Sequence, residues 1–312
     1  MSPEGAGDNV FLEVGPGESH QYEYQLPEDH PTGVYWYHPH HHGSVADQLF
    51  AGLYGAIVVE EDDPPAVDRE RVLVVSDITL SQDGSVLGPS MPERMMGREG
   101  ELLLLDGQVE PVLTARGGER ERWRVVNACS SRFVSLRLSG EGGTVQVVGR
   151  DVGRLATPVA LEEVVLAPGN RMDLLVDLAE GETEMIAVPV DRGQMMGGMM
   201  RGASPEDSER VLARLEVGRG GRSSAGEAGD GAAGGPAGLL ADLRDAEVDR
   251  RRELTMEMSM GGGMMGRDSG SGPGRGPGGM MDLTLDGRSF DADRVDQQVR
   301  LGTVEELSLI HI

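Results

Sequence analysis

Four of the chain's seven histidines fall within five positions, in Gly33-Val34-Tyr35-Trp36-Tyr37-His38-Pro39-His40-His41-His42-Gly43. The residues before them are aromatic and β-branched, the composition of a strand. In an extended chain alternate side chains share a face at roughly 6.5 Å. His38 and His40 can therefore project side by side, near enough to hold two adjacent metal ions with one imidazole on each. Pro39 fixes its own φ and drives His38 into the β region, so covalent geometry keeps the pair extended. Imidazole suits zinc, copper, iron or nickel, and residue chemistry leaves the metal open. A histidine cluster can also be an adventitious nickel-binding patch, but such patches belong to flexible polar termini. This one follows directly on an aromatic strand.

The elements that must position these residues are read as β. A chain of 312 residues is long enough for two domains with proper cores. β-Branched runs, frequent Gly and Pro and little helical periodicity make it mostly strand. A formal charge of −25 and a pI near 4.6 exclude nucleic acid as a partner and disfavour acidic membrane surfaces, because phosphates would be repelled. No apolar run is long enough to span a membrane, and the start shows no basic-then-apolar signal peptide. The single cysteine, Cys129, allows no internal disulfide; it sits where a strand runs into a turn and reads as a buried structural thiol.

Taken in order, 19–26 alternates and reads as a strand, with His20 and His30 isolated among polar residues as ordinary surface histidines. A buried strand at 56–59 is broken by Asp62-Asp63-Pro64-Pro65, which places a boundary there. From Val67 a second β domain begins, with strands at 71–75, 102–105, 111–115, 122–127, 133–138, 145–148, 161–166 and 172–178. A Gly-, Pro- and Met-rich loop runs to Arg98, and Pro168-Gly169 marks a turn. Composition changes at Gln194: Met195, Met196, Met199 and Met200 form one cluster, a Gly/Ala-rich stretch follows, and Met256, Met258, Met260, Met264, Met265, Met280 and Met281 lie among glycines. Thioether sulfur prefers Cu(I). The tract is either a cuprous-ion collector or a flexible low-complexity loop, since interleaved glycine rules out a helical core stripe.

The stretch GVYWYHPHHHGSVADQLFAGLYGAIVVEE, 33–61, resembles the second copper-binding motif of the multicopper oxidases, including Gln48, Gly52-Leu53, Gly55 and the hydrophobic strand behind them. The resemblance implies that His38 and His40 each bind one copper of the coupled type 3 pair, and that His41 and His42 are not ligands. LLLLDGQVEPVLTARGGERERWRVVNACSSRF, 102–133, is similar to the family's central cupredoxin domain, which generally holds no copper. Asp282-Leu283-Thr284-Leu285-Asp286-Gly287-Arg288-Ser289-Phe290 resembles the entry to its third domain.

The implied fold is all-β: tandem cupredoxin-like Greek-key β-sandwiches, the first and third incomplete. Residues 1–63 would be the later part of a first cupredoxin domain, 67–217 the central domain, 218–281 a Gly/Met-rich linker or insert without fixed structure, and 282–312 the start of a third. Past Val304-Glu305-Glu306 the family continues differently. Leu307-Ser308-Leu309-Ile310-His311-Ile312 departs from its pattern, reads as a non-native tail, and leaves His311 without a role. Cys129 lacks the flanking histidines of the family's blue-copper cysteine, so it is not a type 1 ligand. Type 1 and type 2 ligand motifs are absent from this stretch of chain.

The resemblance implies a piece of a copper-dependent oxidoreductase, laccase-like or a cuprous oxidase. Such an enzyme couples one-electron oxidation of a cuprous ion or phenolic substrate to reduction of dioxygen to water. The chain as given would be inactive without the remaining copper motifs. Family location implies a periplasmic or extracellular protein whose signal peptide was lost with its N-terminus. Two alternatives stand beside it: a non-catalytic copper-binding or buffering protein using the His and Met clusters, and a copper-free cupredoxin-fold relative. The intact His38-Pro39-His40 speaks against the second, because a copper-free scaffold has no physical need of paired imidazoles.

Overall fold

A computed structural model describes residues 9–28, 30–41, 43–140, 143–190, 208–220, 243, 245–260, 281–291 and 293–311. The chain forms two compact units, Met1–Leu240 and Ala241–Ile312. Both are built from strands, as the patterning predicts.

In the first unit β1 (Gly33–Tyr37), the short helix α1 (Val45–Phe50) and β2 (Gly55–Val59) come first, β1 and β2 pairing antiparallel with Trp36 opposite Ala56 and Tyr37 opposite Gly55. The Tyr37 ring lies over Gly55: a Cβ there would sit 2.5 Å from Cζ, so any larger residue would require the exposed Tyr37 side chain to swing away. Next follow β3 (Arg69–Ile78), helix α2 (Met91–Met96), β4 (Leu102–Leu105), β5 (Val112–Arg116) and β6 (Arg120–Asn127). They continue into β7 (Val134–Leu138), β8 (Gly143–Arg150), β9 (Arg154–Ala160), β10 (Val164–Leu166), β11 (Arg171–Leu178), β12 (Gly181–Val188) and β13 (Arg210–Gly218).

These strands make a six-stranded sheet, ordered β4-β3-β6-β11-β8-β9, and a five-stranded sheet, ordered β10-β7-β12-β13-β5. Only β3 with β6 and β13 with β5 run parallel. Leu73, Val75, Trp123, Val125, Leu174 and Val176 from the larger sheet bury against Leu136, Leu166, Met185 and Leu215 of the smaller, forming a two-layer sandwich core. The larger sheet is covered on its other face as well. Val126 and Ala128 pack with Val34, and Trp36, Tyr54, Ala56 and Val74 lean on that cluster, so β1 and β2 lie on the outer face of the six-stranded sheet.

The same outer face carries charge. Alternation along β6 sends Trp123 and Val125 to the core, and Arg122 and Arg124 outward toward β2 and its following residues. Arg122, fully buried, makes a two-pronged hydrogen bond to Asp173 and donates to Glu61 at 2.5 Å, while Arg154 pairs with Glu61 at 2.9 Å. Fork-shaped guanidinium geometry suits such a buried pairing. Arg124 reaches Glu70 at 3.2 Å.

The second unit holds β14 (Arg250–Met260), β15 (Met281–Leu285), β16 (Arg288–Ser289) and β17 (Glu305–His311), in the order β16-β15-β14-β17, with β14 parallel to β17. The structure differs from the sequence-based expectation at three places. Residues 19–26, whose alternation reads as a strand, form none. Residues 250–260 are an eleven-residue strand rather than part of a structureless linker through 281. The period-2 run Leu254, Met256, Met258, Met260 against Glu253, Thr255, Glu257, Ser259 is a strand signal that the neighbouring glycines obscure. Leu307–His311 lie within β17, with His311 in register beside Met256. Finally, the loop before Arg98 contains α2, whose capping box Ser90-x-x-Glu93 and early Pro92 are local helix signals.

Candidate metal centre

Strand β1 is short, and its end sets the geometry of the histidines. Tyr35 Oη donates to the Pro31 carbonyl at 2.7 Å, and burial pushes its phenol pKa up against the opposing charge of Arg171. Val34 and Trp36 face the six-stranded sheet, and the ladder stops at Tyr37, so His38 and His40 lie just beyond the strand rather than within it. The Trp36 indole and the His38 imidazole lie 4.4 Å apart between ring centres at 30°. His38 and His40 lie 5.8 Å apart at 40°. The two rings are brought together on one side of the chain, His38 half-buried and His40 exposed.

Hydrogen bonding sorts the nitrogens. His38 Nδ1 sits 3.0 Å from the Pro39 carbonyl oxygen, which can only accept, so Nδ1 carries the proton and donates. Nε2 is then the nitrogen through which the ring would bind a metal, the other being held by a carbonyl. His41 is different. Its Nδ1 lies 2.9 Å from Ser44 Oγ and its Nε2 2.8 Å from Glu13 Oε1, so both ring nitrogens are engaged by protein groups. His42 lies outside the described residues. His20 packs edge-on against Tyr22 at 4.8 Å, and His30 against Tyr35 at 5.1 Å.

Among the described residues no group of three or more His, Cys, Asp or Glu gathers to hold a metal ion. The donors therefore fit copper as one half of a site: two imidazoles of the right softness, adjacent, with further ligands to come from elsewhere. Of the methionines, Met195, Met196, Met199, Met200, Met264, Met265 and Met280 lie outside the described residues. Met256 and Met258 stand on β14, Met258 more than half exposed. Cys129 is buried, and burial followed by the nearby Asp77 charge pushes its thiol well above the ordinary range, the state of an inert thiol rather than a ligand.

Helix α1 follows the histidines and is tied to the sandwich. Arg98 lies 3.5 Å over the Phe50 ring, reaches Asp47 at 3.5 Å, and binds the Leu87 carbonyl. Its backbone N–H donates to Ser131 Oγ at 3.0 Å. Trp36, Gly169 and Arg171 border the site without having been singled out by sequence reasoning. Pro168-Gly169 is visible as a turn, but nothing local links it to a tryptophan well over a hundred residues earlier.

A family model described as "Multicopper oxidase" matches residues 4–64. The chain is 30% identical over 202 residues to a laccase of Bacillus subtilis (strain 168), covering 59% of this chain and 39% of that protein. It is 32% identical over 179 residues to the cell division protein FtsP of Xenorhabdus nematophila, covering 55% and 37%. Among solved structures it resembles "Multicopper oxidase from Campylobacter jejuni: a metallo-oxidase", with TM-score 0.73 and 27% identity over 96% of this chain and 59% of that one. The chain thus spans about two fifths of the curated relatives it matches.

Proposed function

We propose that this chain, a member of the multicopper oxidase family, contributes His38 and His40 as two ligands of a coupled copper pair, one imidazole to each ion. Copper bound there would accept electrons singly and pass them to dioxygen. The reducing substrate of the whole protein would be a cuprous ion or a phenol, the product of oxygen reduction water, and the location periplasmic or extracellular. No helix among the described residues is long and apolar enough to cross a membrane.

The observation that carries this reading is the pair of rings 5.8 Å apart, with the His38 Nδ1 proton held by the Pro39 carbonyl. Imidazoles at this separation would each hold one of two neighbouring ions. The chain's own part in the reaction is to orient these two donors and to hold the His38 proton on the nitrogen that does not face the metal.

The test is copper stoichiometry of the purified chain after equilibrium dialysis. Replacing His38 or His40 with Ala is expected to weaken copper binding, and the double variant to lose it from this site. Unchanged binding in the double variant would overturn the assignment. A second reading, a copper-free cupredoxin-fold scaffold, draws on the similarity to a cell division protein. It predicts no copper uptake by the parent chain.

A further inference from the structure

We propose that the central sandwich is more than a spacer: its 168–171 turn sets the orientation of the His38 imidazole through Trp36, which makes Trp36, Gly169 and Arg171 positioning residues for the metal ligand. The inference rests on the reading of His38 as a ligand.

Three contacts make the relay. Trp36 lies against His38, with ring centres 4.4 Å apart and the planes tilted by 30°. On the sandwich, Gly169 stands so close to the indole that a Cβ there would lie 3.2 Å from Trp36 Cζ2. Its φ of +79° and the hydrogen bond from its N–H to the Asn127 carbonyl at 2.8 Å fix where that surface lies. Arg171 then sets the distance between the two parts with one guanidinium. Nε donates to the Val34 carbonyl on β1 at 3.2 Å, and Nη1 donates to the Gly169 carbonyl at 2.9 Å. Asp151, 3.2 Å from Nη1, holds the guanidinium in place.

A ring wedged between a backbone wall and an imidazole transmits displacement, because packed interiors have little slack. Pushing the indole by a methyl group at 169 must move His38 or break the contact. The cross-strand neighbour Ala56 is small, which leaves Trp36 room to lie against the turn.

The test uses the full chain and four variants: W36L, G169A, G84A and H38A. Gly84 has φ +82°, and a methyl group added there would meet nothing within 4 Å, so G84A imposes the same backbone strain without touching any ring. The first readout needs no metal: the His38 ring-proton resonances, identified by their loss in H38A, carry the ring-current displacement of an adjacent indole. W36L is expected to abolish that displacement, G169A to change it, and G84A to leave it alone. The second readout is Cu(II) affinity by competition, expected to fall roughly tenfold or more in W36L and G169A and by less than about twofold in G84A.

Unchanged His38 resonances and affinity in both W36L and G169A, with binding still lost in H38A, would overturn the relay while leaving the ligand assignment standing. If H38A instead binds copper as the parent does, the ligand assignment fails, and the metal-free resonances still decide whether the turn orients the ring. Should W36L not fold, W36F and G169A give the same comparison.

Discussion

The central sandwich and the four-stranded sheet of the second unit are written in the same alternating pattern and end in opposite states. In the sandwich, Val75, Leu105, Leu166 and Val176 have no accessible surface, because a second sheet closes over them. On the sheet of β14, β15 and β17, register puts Leu254, Met256, Met258, Leu283, Leu285, Leu307 and Leu309 on one face. Yet Leu283 is 64% and Leu309 59% exposed. The reverse face carries Glu253, Thr255, Glu257 and Ser308. Alternation thus decides which way a side chain points, whereas burial needs a second layer, and among the described residues of that unit none supplies one.

Charge separates the regions in the same way. The sandwich buries Arg122 among Asp173, Glu61 and Glu70, whereas Arg251 and Glu306 of the second unit pair at 3.2 Å in solvent. An exposed pair contributes little, but breaking a buried one strands charge in a poor solvent.

The largest effect that would test this contrast is expected at Arg122. Replacing it with Ala leaves the Asp173 and Glu61 carboxylates buried with diminished partners, at a cost of about 3–5 kcal/mol in denaturant unfolding. Arg124 and Arg154 remain nearby, and full compensation by them would show as a loss below about 1 kcal/mol, breaking the comparison. A second measurement sharpens it with one chemical change in two places. Leu166→Ala in the core should cost about 2–5 kcal/mol, and Leu309→Ala on the open face should stay within about 0.5 kcal/mol. Equal losses would mean that the open face is covered in solution.

The smallest effect is a pH dependence at Cys129. Its folded thiol titrates well above its ordinary value of 9.0, so the folded chain keeps a proton that the unfolded chain releases. Stability from this group is full below pH 9.0 and declines as pH rises past it. Alkylation of Cys129 near pH 8 should accordingly proceed only as fast as the sandwich opens. Rapid labelling of the native chain would show the thiol to be accessible.

Much of the strand content is legible in the chain because side-chain period and β-branched composition act locally. The 102–105, 122–127 and 172–178 strands stand out by alternation or apolar runs, and Ser90-x-x-Glu93 reveals α2 once the capping box is weighed above the surrounding Met and Gly. The candidate ligands are legible for a similar reason: Pro39 holds its own φ and biases His38 toward extended backbone, so His38 and His40 are favoured as neighbours by local covalent geometry. The strand at 250–260 stays hidden because composition averages over a wide window while the pattern lies in alternate residues.

By itself the sequence determined many of the strands, the placing of two histidines on either side of one proline, and the acidic net charge, since each depends on covalent neighbours or on a sum over residues. Only tertiary structure decided which histidine Glu13 engages and which turn supports the indole behind the site. Those outcomes depend on distances between residues far apart in the chain. Sheet register and packing, rather than local propensity, fix such distances.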